Sequence, residues 1–151
     1  MSPMVSESEF EEMSRQAEID GTAPRVGAII DRGGQVLLLA RHDTGPIKAT
    51  LKLPGTTVLP REPLAEAVVR GVHEETGLVV TGIRHHVGDF DYLSPDAHPV
   101  RRLHFAVDVA ATEPIRLSVH ARYVWAPLDG DLPVTSSIRR ILETYRNLVH
   151  P

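Results

Sequence analysis

The segment from Pro63 to Gly77, PLAEAVVRGVHEETG, constrains the fold more than any other part of this 151-residue sequence. Apolar residues recur in it three and four positions apart, which places them near one side of an α-helix. They are Leu64, Ala67, Val68 and Val72. Gly77 is a typical C-cap, because glycine readily adopts the left-handed conformation that ends many helices. A helix with one apolar side needs a second layer of secondary structure to pack against.

Patterns typical of β-strands lie on both sides of this helix. The predicted strands are Val26–Ile30, Gln35–Ala40, Ala49–Gly55, Leu78–Ile83, His85–Tyr92, Arg102–Ala110 and Ala121–Leu128. The sequence DRGG, Asp31–Gly34, predicts a hairpin between the first two of them. An amphipathic helix over Ser136–Val149 follows the last strand. This order predicts an α+β fold, an α/β/α sandwich in which helices flank a central mixed sheet.

Residues 1–23 form a predicted N-terminal extension, and residues 24–151 are expected to form a single domain. Ser6 and Ser8 each have a glutamate three positions later, so a capping box can begin a short helix at either serine. Phe10 would dock that helix on the body of the protein or on a second copy in a homodimer. A partly ordered tail is the alternative interpretation.

Composition argues against several classes of protein. The formal net charge of −4 argues against nucleic acid as the partner. The sequence has no cysteine, which excludes disulfides, thiolate metal ligands and a cysteine nucleophile, and which fits a cytoplasmic protein. No apolar segment approaches the roughly 18 residues that a membrane helix needs, and the acidic N-terminal segment lacks the apolar run of a signal peptide. We therefore expect neither a nucleic-acid partner nor a membrane partner.

The central helix carries a row of charged residues. Glu62, Glu66, Arg70 and Glu74 are spaced by four, and Glu75 lies beside the row. One explanation is a solvated helix face with ion pairs, each worth at most about 0.5 kcal/mol. Two adjacent acids near a helix C-terminus, however, oppose the helix dipole at a cost of up to about 1 kcal/mol each. A divalent cation would offset that cost, so these residues are also candidates for a metal site.

The segment TTVLPREPLAEAVVRGVHEETGL resembles the Nudix box, G-x5-E-x7-R-E-U-x-E-E-x-G-U with U a bulky aliphatic residue, of the Nudix hydrolase family. The matching residues are Glu62, Arg70, Val72, Glu74, Glu75, Gly77 and Leu78. Thr56 stands where the first glycine belongs, and Gly71 stands where the glutamate after the arginine belongs. The upstream hairpin and the downstream VWAPL segment also sit where the family places them. The resemblance covers roughly residues 24–150 and implies a Nudix-like fold.

The resemblance also implies an activity, the metal-dependent hydrolysis of a diphosphate linkage in a small nucleotide-like molecule. Water attacks phosphorus while Mg²⁺ or Mn²⁺ shields the phosphate charge and acidifies the water. By position in the box, Glu74, Glu75 and the carbonyl of Gly55 are the expected metal ligands. Glu74, Glu75 and Arg70 are the expected catalytic residues, with Arg70 orienting the box glutamates. Glu62 is expected to pair within the motif.

Gly71 removes one carboxylate from the expected metal site. His73 does not replace it, because two residues along a helix correspond to a rotation of about 200°. Acids outside the box are better candidates, and the sequence does not choose among them. They are Asp89, Asp91, Asp96 and Asp108.

Four residues are candidates for substrate binding. They are Arg41, Thr56, Asp91 and Arg102. Each arginine can donate two hydrogen bonds to a phosphate, or can be a solvated residue at a strand end. A β-branched residue at position 56 disfavours the positive φ that a glycine permits, so we expect a reshaped loop before the helix. The aromatic residues that can stack on a base, or belong to the core, are Phe90, Tyr92 and Trp125.

Two functions remain open from the sequence. The first is a Nudix-type hydrolase that is weakened by the loss of one box glutamate. The second is a catalytically impaired Nudix-fold protein that binds a nucleotide-like ligand or a protein partner. Gly71 and Thr56 favour the second interpretation, whereas Arg70, Glu74 and Glu75 favour the first.

Overall fold

The computed structural model describes residues 4–41, 51–118 and 120–150, and it contains a six-stranded sheet and three helices within these ranges. In chain order the elements are α1 (Glu7–Ile19), β1 (Ala23–Arg32), β2 (Gln35–Arg41), β3 (Gly55–Thr57), α2 (Leu64–Thr76), β4 (Val80–Leu93), β5 (Pro99–Val109), β6 (His120–Pro127) and α3 (Ser136–Val149). The predicted α+β class is confirmed. Within the described ranges, no helix combines the length and apolar character that a membrane span requires.

Strand β1 lies at the centre of the sheet, whose order is β4-β5-β1-β2-β6 with β3 paired to β1. The pairing of β1 with β5 is parallel and places Val26 opposite Leu103, whereas the other strand pairs are antiparallel. The sheet is therefore mixed, as predicted. The predicted hairpin between β1 and β2 is present, and the Asp31 carboxylate accepts a hydrogen bond from the Gly34 N–H at 2.8 Å.

The sheet is covered by helices on both faces. Ile30 belongs to the apolar cluster shared with α1 and α2, and its neighbour Ile29 belongs to the cluster shared with α3. Successive residues of a strand point to opposite faces, so α1 and α2 lie on one face and α3 lies on the other. Each fully buried aliphatic side chain in these clusters contributes roughly 1.5–3 kcal/mol. The predicted α/β/α sandwich is confirmed.

Helix α1 packs on the sheet of its own chain. Ser6 is the N-cap and forms the predicted capping box with Glu9, so the helix begins from the first of the two candidate serines. The Phe10 ring lies 5.4 Å from the Phe105 ring, measured between centroids. At the other end of the helix, Asp20 forms an ion pair with Arg101 at 2.9 Å. The homodimer stays a prediction.

Two strand predictions need correction. Residues 49 and 50 of the predicted strand Ala49–Gly55 lie outside the described part, Lys52 forms only an isolated bridge, and β3 begins at Gly55. Pro54, which has no N–H to donate to a strand ladder, separates the bridge from β3. The predicted strands Leu78–Ile83 and His85–Tyr92 form the single strand β4. Register shifts in β4 bend the strand without ending it, which explains why the alternation of the sequence breaks there.

Candidate functional site

The end of α2 and the short strand β3 bring the acids of the box next to the sheet. Gly77 ends α2 in the left-handed conformation with φ 76°, which leaves Glu74 and Glu75 in the last helical turn. The Gly55 N–H of β3 donates a 2.7 Å hydrogen bond to Glu75 Oε1. The helix dipole disfavours carboxylates at this end. Hydrogen bonds from Gly55 to Glu75 and from Arg70 to Glu74 offset this effect.

Arg70 links the helix to the preceding loop through all three of its guanidinium nitrogens. Its Nε and Nη2 donate to the two carboxylate oxygens of Glu62 at 2.8 and 2.9 Å, and its Nη1 donates to Glu74 at 2.5 Å. Nη2 also donates to the Thr57 carbonyl at 2.8 Å. The hydrogen bonds from Arg70 lower the pKa of the Glu62 carboxyl and keep it ionised. The predicted pairing of Glu62 within the motif is therefore present.

The two positions that depart from the box pattern lie against each other. Gly71 is buried on α2, and a Cβ atom at this position would lie 2.6 Å from Thr56 Cγ2. Thr56 itself is in extended β3 and pairs with Val26. The non-glycine residues with positive φ in the described ranges are Arg61 and Ala97, so the threonine fits without backbone strain. Thr56 thus lies in a strand, and the expected reshaping of the loop before the helix stays a prediction.

Asp91 does not lie with the box acids. It accepts two hydrogen bonds from Arg101, at 2.8 and 3.0 Å, and these bonds lower the pKa of its carboxyl. Arg101 also pairs with Asp20 at the end of α1. Asp91 therefore helps to dock α1 on the sheet.

The other three candidate acids also have partners of their own. Asp108 pairs with Arg84 at 2.7 Å, and Asp89 lies 4.0 Å from His86. Asp96 is in an exposed turn, where it accepts a hydrogen bond from a neighbouring serine. Within residues 4–41, 51–118 and 120–150, no three His, Cys, Asp or Glu residues form a group that could hold a metal ion. A preformed cage of side chains is thus absent from these ranges.

The donors at the end of α2 nevertheless match one kind of metal binding. Glu74, Glu75 and the Gly55 carbonyl offer oxygen atoms, which are the ligands that Mg²⁺ prefers. Mg²⁺ in phosphate-transfer sites is usually held by one or two carboxylates, retained waters and the substrate phosphates. The residues present fit an ion that binds together with a phosphorylated ligand.

Arg102 lies behind Gly55, on the side of the sheet that faces α3. Its Nη2 donates to the Leu53 carbonyl at 3.0 Å. A Cβ atom at Gly55 would lie 2.8 Å from Nη2, and a Cβ atom at Gly27 would lie 3.1 Å from Nε, so both glycines make room for the guanidinium. Nε is buried and has no hydrogen-bond partner among the described residues. Burial lowers the pKa of Arg102.

Arg102 lines a cavity of about 250 Å³ between the sheet and the start of α3. The lining residues are Leu51, Lys52, Phe90, Tyr92, Arg102, Thr135 and Ile138. Phe90 is directly opposite Arg102 in the pairing of β4 with β5, so the two side chains share one face of the sheet. The Phe90 ring lies 6.1 Å from the Tyr92 ring and stacks on the His104 ring at 5.2 Å. The cavity combines an aromatic wall with a half-buried cation.

His104 supports that wall as a neutral ring. Its side chain is fully buried. Burial, reinforced by the positive charge of Arg102, lowers the pKa of His104 to about 3. The imidazole therefore carries no charge at neutral pH.

The structure brings together most of the predicted site residues. Gly55, Thr56, Arg70, Glu74 and Glu75 meet where β3 contacts α2, and Arg102 adjoins Gly55. The side chain of Arg41 lies outside the described part of the structure. Trp125 packs under Arg32 at 4.1 Å. Sequence reasoning missed the cavity residues of α3 and of the segment before β3, because no local pattern joins positions so far apart in the chain.

Comparison with known proteins identifies relatives. The family model described as NUDIX domain matches residues 21–143. An ADP-ribose pyrophosphatase from Methanocaldococcus jannaschii is 37% identical over 94 residues, which are 60% of this chain and 53% of that protein. The match thus spans about half the length of this relative.

Two solved structures show the same fold. The MutT protein from Methanosarcina mazei is 26% identical, with a TM-score of 0.72 over 86% of this chain and 96% of that one. An Ap4A hydrolase from C. elegans is 17% identical, with a TM-score of 0.70 over 85% of this chain and 98% of that one. The second likeness concerns the fold alone.

Proposed function

This chain belongs to the NUDIX domain family, and we propose that it hydrolyses a diphosphate linkage in a nucleoside diphosphate derivative with the help of Mg²⁺ or Mn²⁺. The observation that carries this function is the position of Glu75. Its carboxylate is fixed by the Gly55 N–H, and the Arg102 guanidinium lies against the same glycine. One backbone position, Gly55, thus adjoins both a carboxylate that can hold a metal ion and a half-buried guanidinium that can bind phosphate.

Each side chain has a separate part in this reaction. Glu74, Glu75 and the Gly55 carbonyl would hold the divalent ion, which would shield the phosphate charge and make water more acidic. Arg102 donates N–H groups to phosphate oxygens, a charge-assisted contact that strengthens in a site shielded from water. Arg70 keeps Glu74 in place. The carboxylate missing at Gly71 would lower turnover, because one ligand fewer would be available to the ion.

The cavity beside Arg102 accommodates the nucleoside part of the substrate. Phe90 and Tyr92 offer ring surface on which a base can stack, and Arg102 lies between this wall and Gly55. ADP-ribose is the first substrate to test, because the relative with 37% identity is an ADP-ribose pyrophosphatase. A base in the cavity would place its diphosphate near Arg102 and Glu75.

The decisive measurement is hydrolysis of a panel of candidate substrates. ADP-ribose, nucleotide sugars, nucleoside triphosphates and dinucleoside polyphosphates are incubated with Mg²⁺ and with Mn²⁺, and the products are separated by chromatography. We expect Glu75→Gln to lower turnover by about 100-fold or more, as removal of a key electrostatic group does in other enzymes. Glu66→Gln is the matched control, since Glu66 is an exposed acid in the first turn of the same helix. If the native chain is inert on every substrate, the proposed hydrolase function is rejected.

One observation favours a second function, the binding of a nucleotide-like ligand without turnover. Position 71 carries no carboxylate, and the described ranges hold no group of three acids or histidines that could bind a metal. Isothermal titration of ADP-ribose and nucleotide sugars tests this function directly. Tight binding without products, lost in Arg102→Met, would assign the chain to this class.

A further inference from the structure

Thr56 and Gly71 form a direct contact between β3 and α2. A Cβ atom at position 71 would lie 2.6 Å from Thr56 Cγ2 and 3.0 Å from Thr56 Cβ. A Cβ atom in a real protein does not come closer than 3.0 Å to another such heavy atom, so one of the two residues would have to move. Gly71 is also buried, so a side chain at this position would meet protein atoms rather than solvent.

Thr56 has little freedom to give way. A β-branched side chain has few rotamers at χ1. Its hydroxyl lies 3.5 Å from Arg70 Nη1, and rotation of the methyl group away from Gly71 would displace that hydroxyl. Its backbone is fixed on the opposite side by pairing with Val26 of β1. Both the side chain and the strand therefore hold the methyl group in place.

We propose that Thr56 and Gly71 are one coupled change, in which the Thr56 methyl group fills the volume that a side chain at position 71 would need. The residue on β3 thus decides whether α2 can carry a carboxylate at position 71. This pairing is independent of whether the chain hydrolyses its ligand. It also means that Gly71→Glu alone does not rebuild the box, because the added side chain meets the threonine before it reaches the site.

A thermal-unfolding cycle, followed by circular dichroism, tests the packing. Gly71→Ala is made in the native protein, in Thr56→Gly and in Thr56→Ser, which removes only the methyl group. In the native protein we expect a lower Tm. In Thr56→Gly we expect Gly71→Ala to raise Tm by about 2–4 °C, because alanine is the better helix former. In Thr56→Ser, which keeps a Cβ atom 3.0 Å from the added atom, we expect a shift of Tm between those in the native protein and in Thr56→Gly.

The sign reversal is the critical result, and Thr56→Val is the matched control. Valine keeps a methyl branch toward position 71, so Gly71→Ala should still lower Tm in that background. If Gly71→Ala shifts Tm equally in every background, the two positions are independent and the coupling is rejected. Should Gly71→Ala alone fail to fold, recovery of folding by Thr56→Gly supports the coupling, and continued failure rejects it.

Metal binding provides a second readout that needs no turnover. Binding of Mn²⁺ alone is measured by electron paramagnetic resonance for Gly71→Glu and for the Thr56→Gly/Gly71→Glu double variant. We expect the double variant to bind Mn²⁺ at least tenfold more tightly than Gly71→Glu. Equal affinities of the two proteins would overturn the role of Thr56.

Discussion

Arg70 and Arg102 lie on either side of β3, and they differ in how their donors are used. Arg70 donates from all three guanidinium nitrogens to Glu62, Glu74 and the Thr57 carbonyl. Within the described part of the chain, Arg102 makes a single hydrogen bond, to the Leu53 carbonyl, and its Nε has no partner. An arginine with saturated donors holds the fold together. An arginine with donors to spare, on the wall of a cavity, is available to a ligand.

The difference follows from where each residue lies in the chain. Arg70 is four residues before Glu74 on the same helix, a spacing at which side chains meet. Arg102 is in the middle of a strand, and two glycines of other strands leave it room. Local spacing thus supplies Arg70 with several partners, whereas tertiary packing gives Arg102 fewer of them within the described part of the chain.

The largest expected effect is the loss of substrate turnover or ligand binding when Arg102 is replaced. We expect Arg102→Met to lower kcat/KM by about 100-fold, because a half-buried cation that meets the phosphate is lost. The Tm should fall by less than 3 °C, since replacing an incompletely bonded buried charge by an apolar side chain is often neutral. Arg84→Met, at an exposed arginine paired with Asp108, is the control for both measurements. If Arg102→Met lowers Tm strongly and leaves the kinetics unchanged, Arg102 holds the fold together and does not bind the ligand.

The second prediction concerns the pH dependence of stability that His104, the neighbour of Arg102 on the same face of β5, produces. The pKa of His104, next to Arg102 in β5, is lowered from 6.5 to about 3. The unfolded chain therefore binds more protons between these values, so the contribution of His104 to stability is complete above pH 6.5 and decreases as pH falls toward 3. Between pH 6.5 and 5 this decrease amounts to about 2 kcal/mol.

Urea unfolding at a series of pH values measures this decrease. We expect His104→Gln to flatten the dependence of the unfolding free energy on pH in that interval. His98→Gln is the control, because His98 is exposed in the turn between β4 and β5. An unchanged slope in His104→Gln would show that the buried histidine is not the group that titrates.

The smallest effect concerns the saturated arginine. Arg70→Lys keeps the charge and loses the two-fold hydrogen bond to Glu62, because an ammonium group cannot reproduce the planar fork. We expect a loss of about 1 kcal/mol, which corresponds to a decrease of about 2–4 °C in Tm. Thermal unfolding of Arg70→Lys, Glu62→Gln and the double variant measures the coupling. Additive losses in the double variant would mean that the pair does not act as a unit.

Local patterns predicted the helices, the hairpin and the capping box at Ser6. They also predicted that Glu62, Arg70 and Glu74 meet, since these residues share one helix and the loop before it. The contact of Thr56 with Gly71 and the cavity around Arg102 could not be predicted, because they depend on strand register and on the packing of α3. The predicted strand before Gly55 was wrong for a related reason, since its alternation of residues does not reveal where the ladder breaks.

The parallel pairing of β1 with β5 has a consequence for the order in which the protein is synthesised. β1 is made early, but the strand that covers one of its edges is made only after β4. Until then, the edge of β1 that will face β5 carries unpaired N–H and C=O groups, which are a template for incorrect pairing. Arg102 belongs to β5, so the same strand supplies both the side chain that lies against Gly55 and the last neighbour of β1.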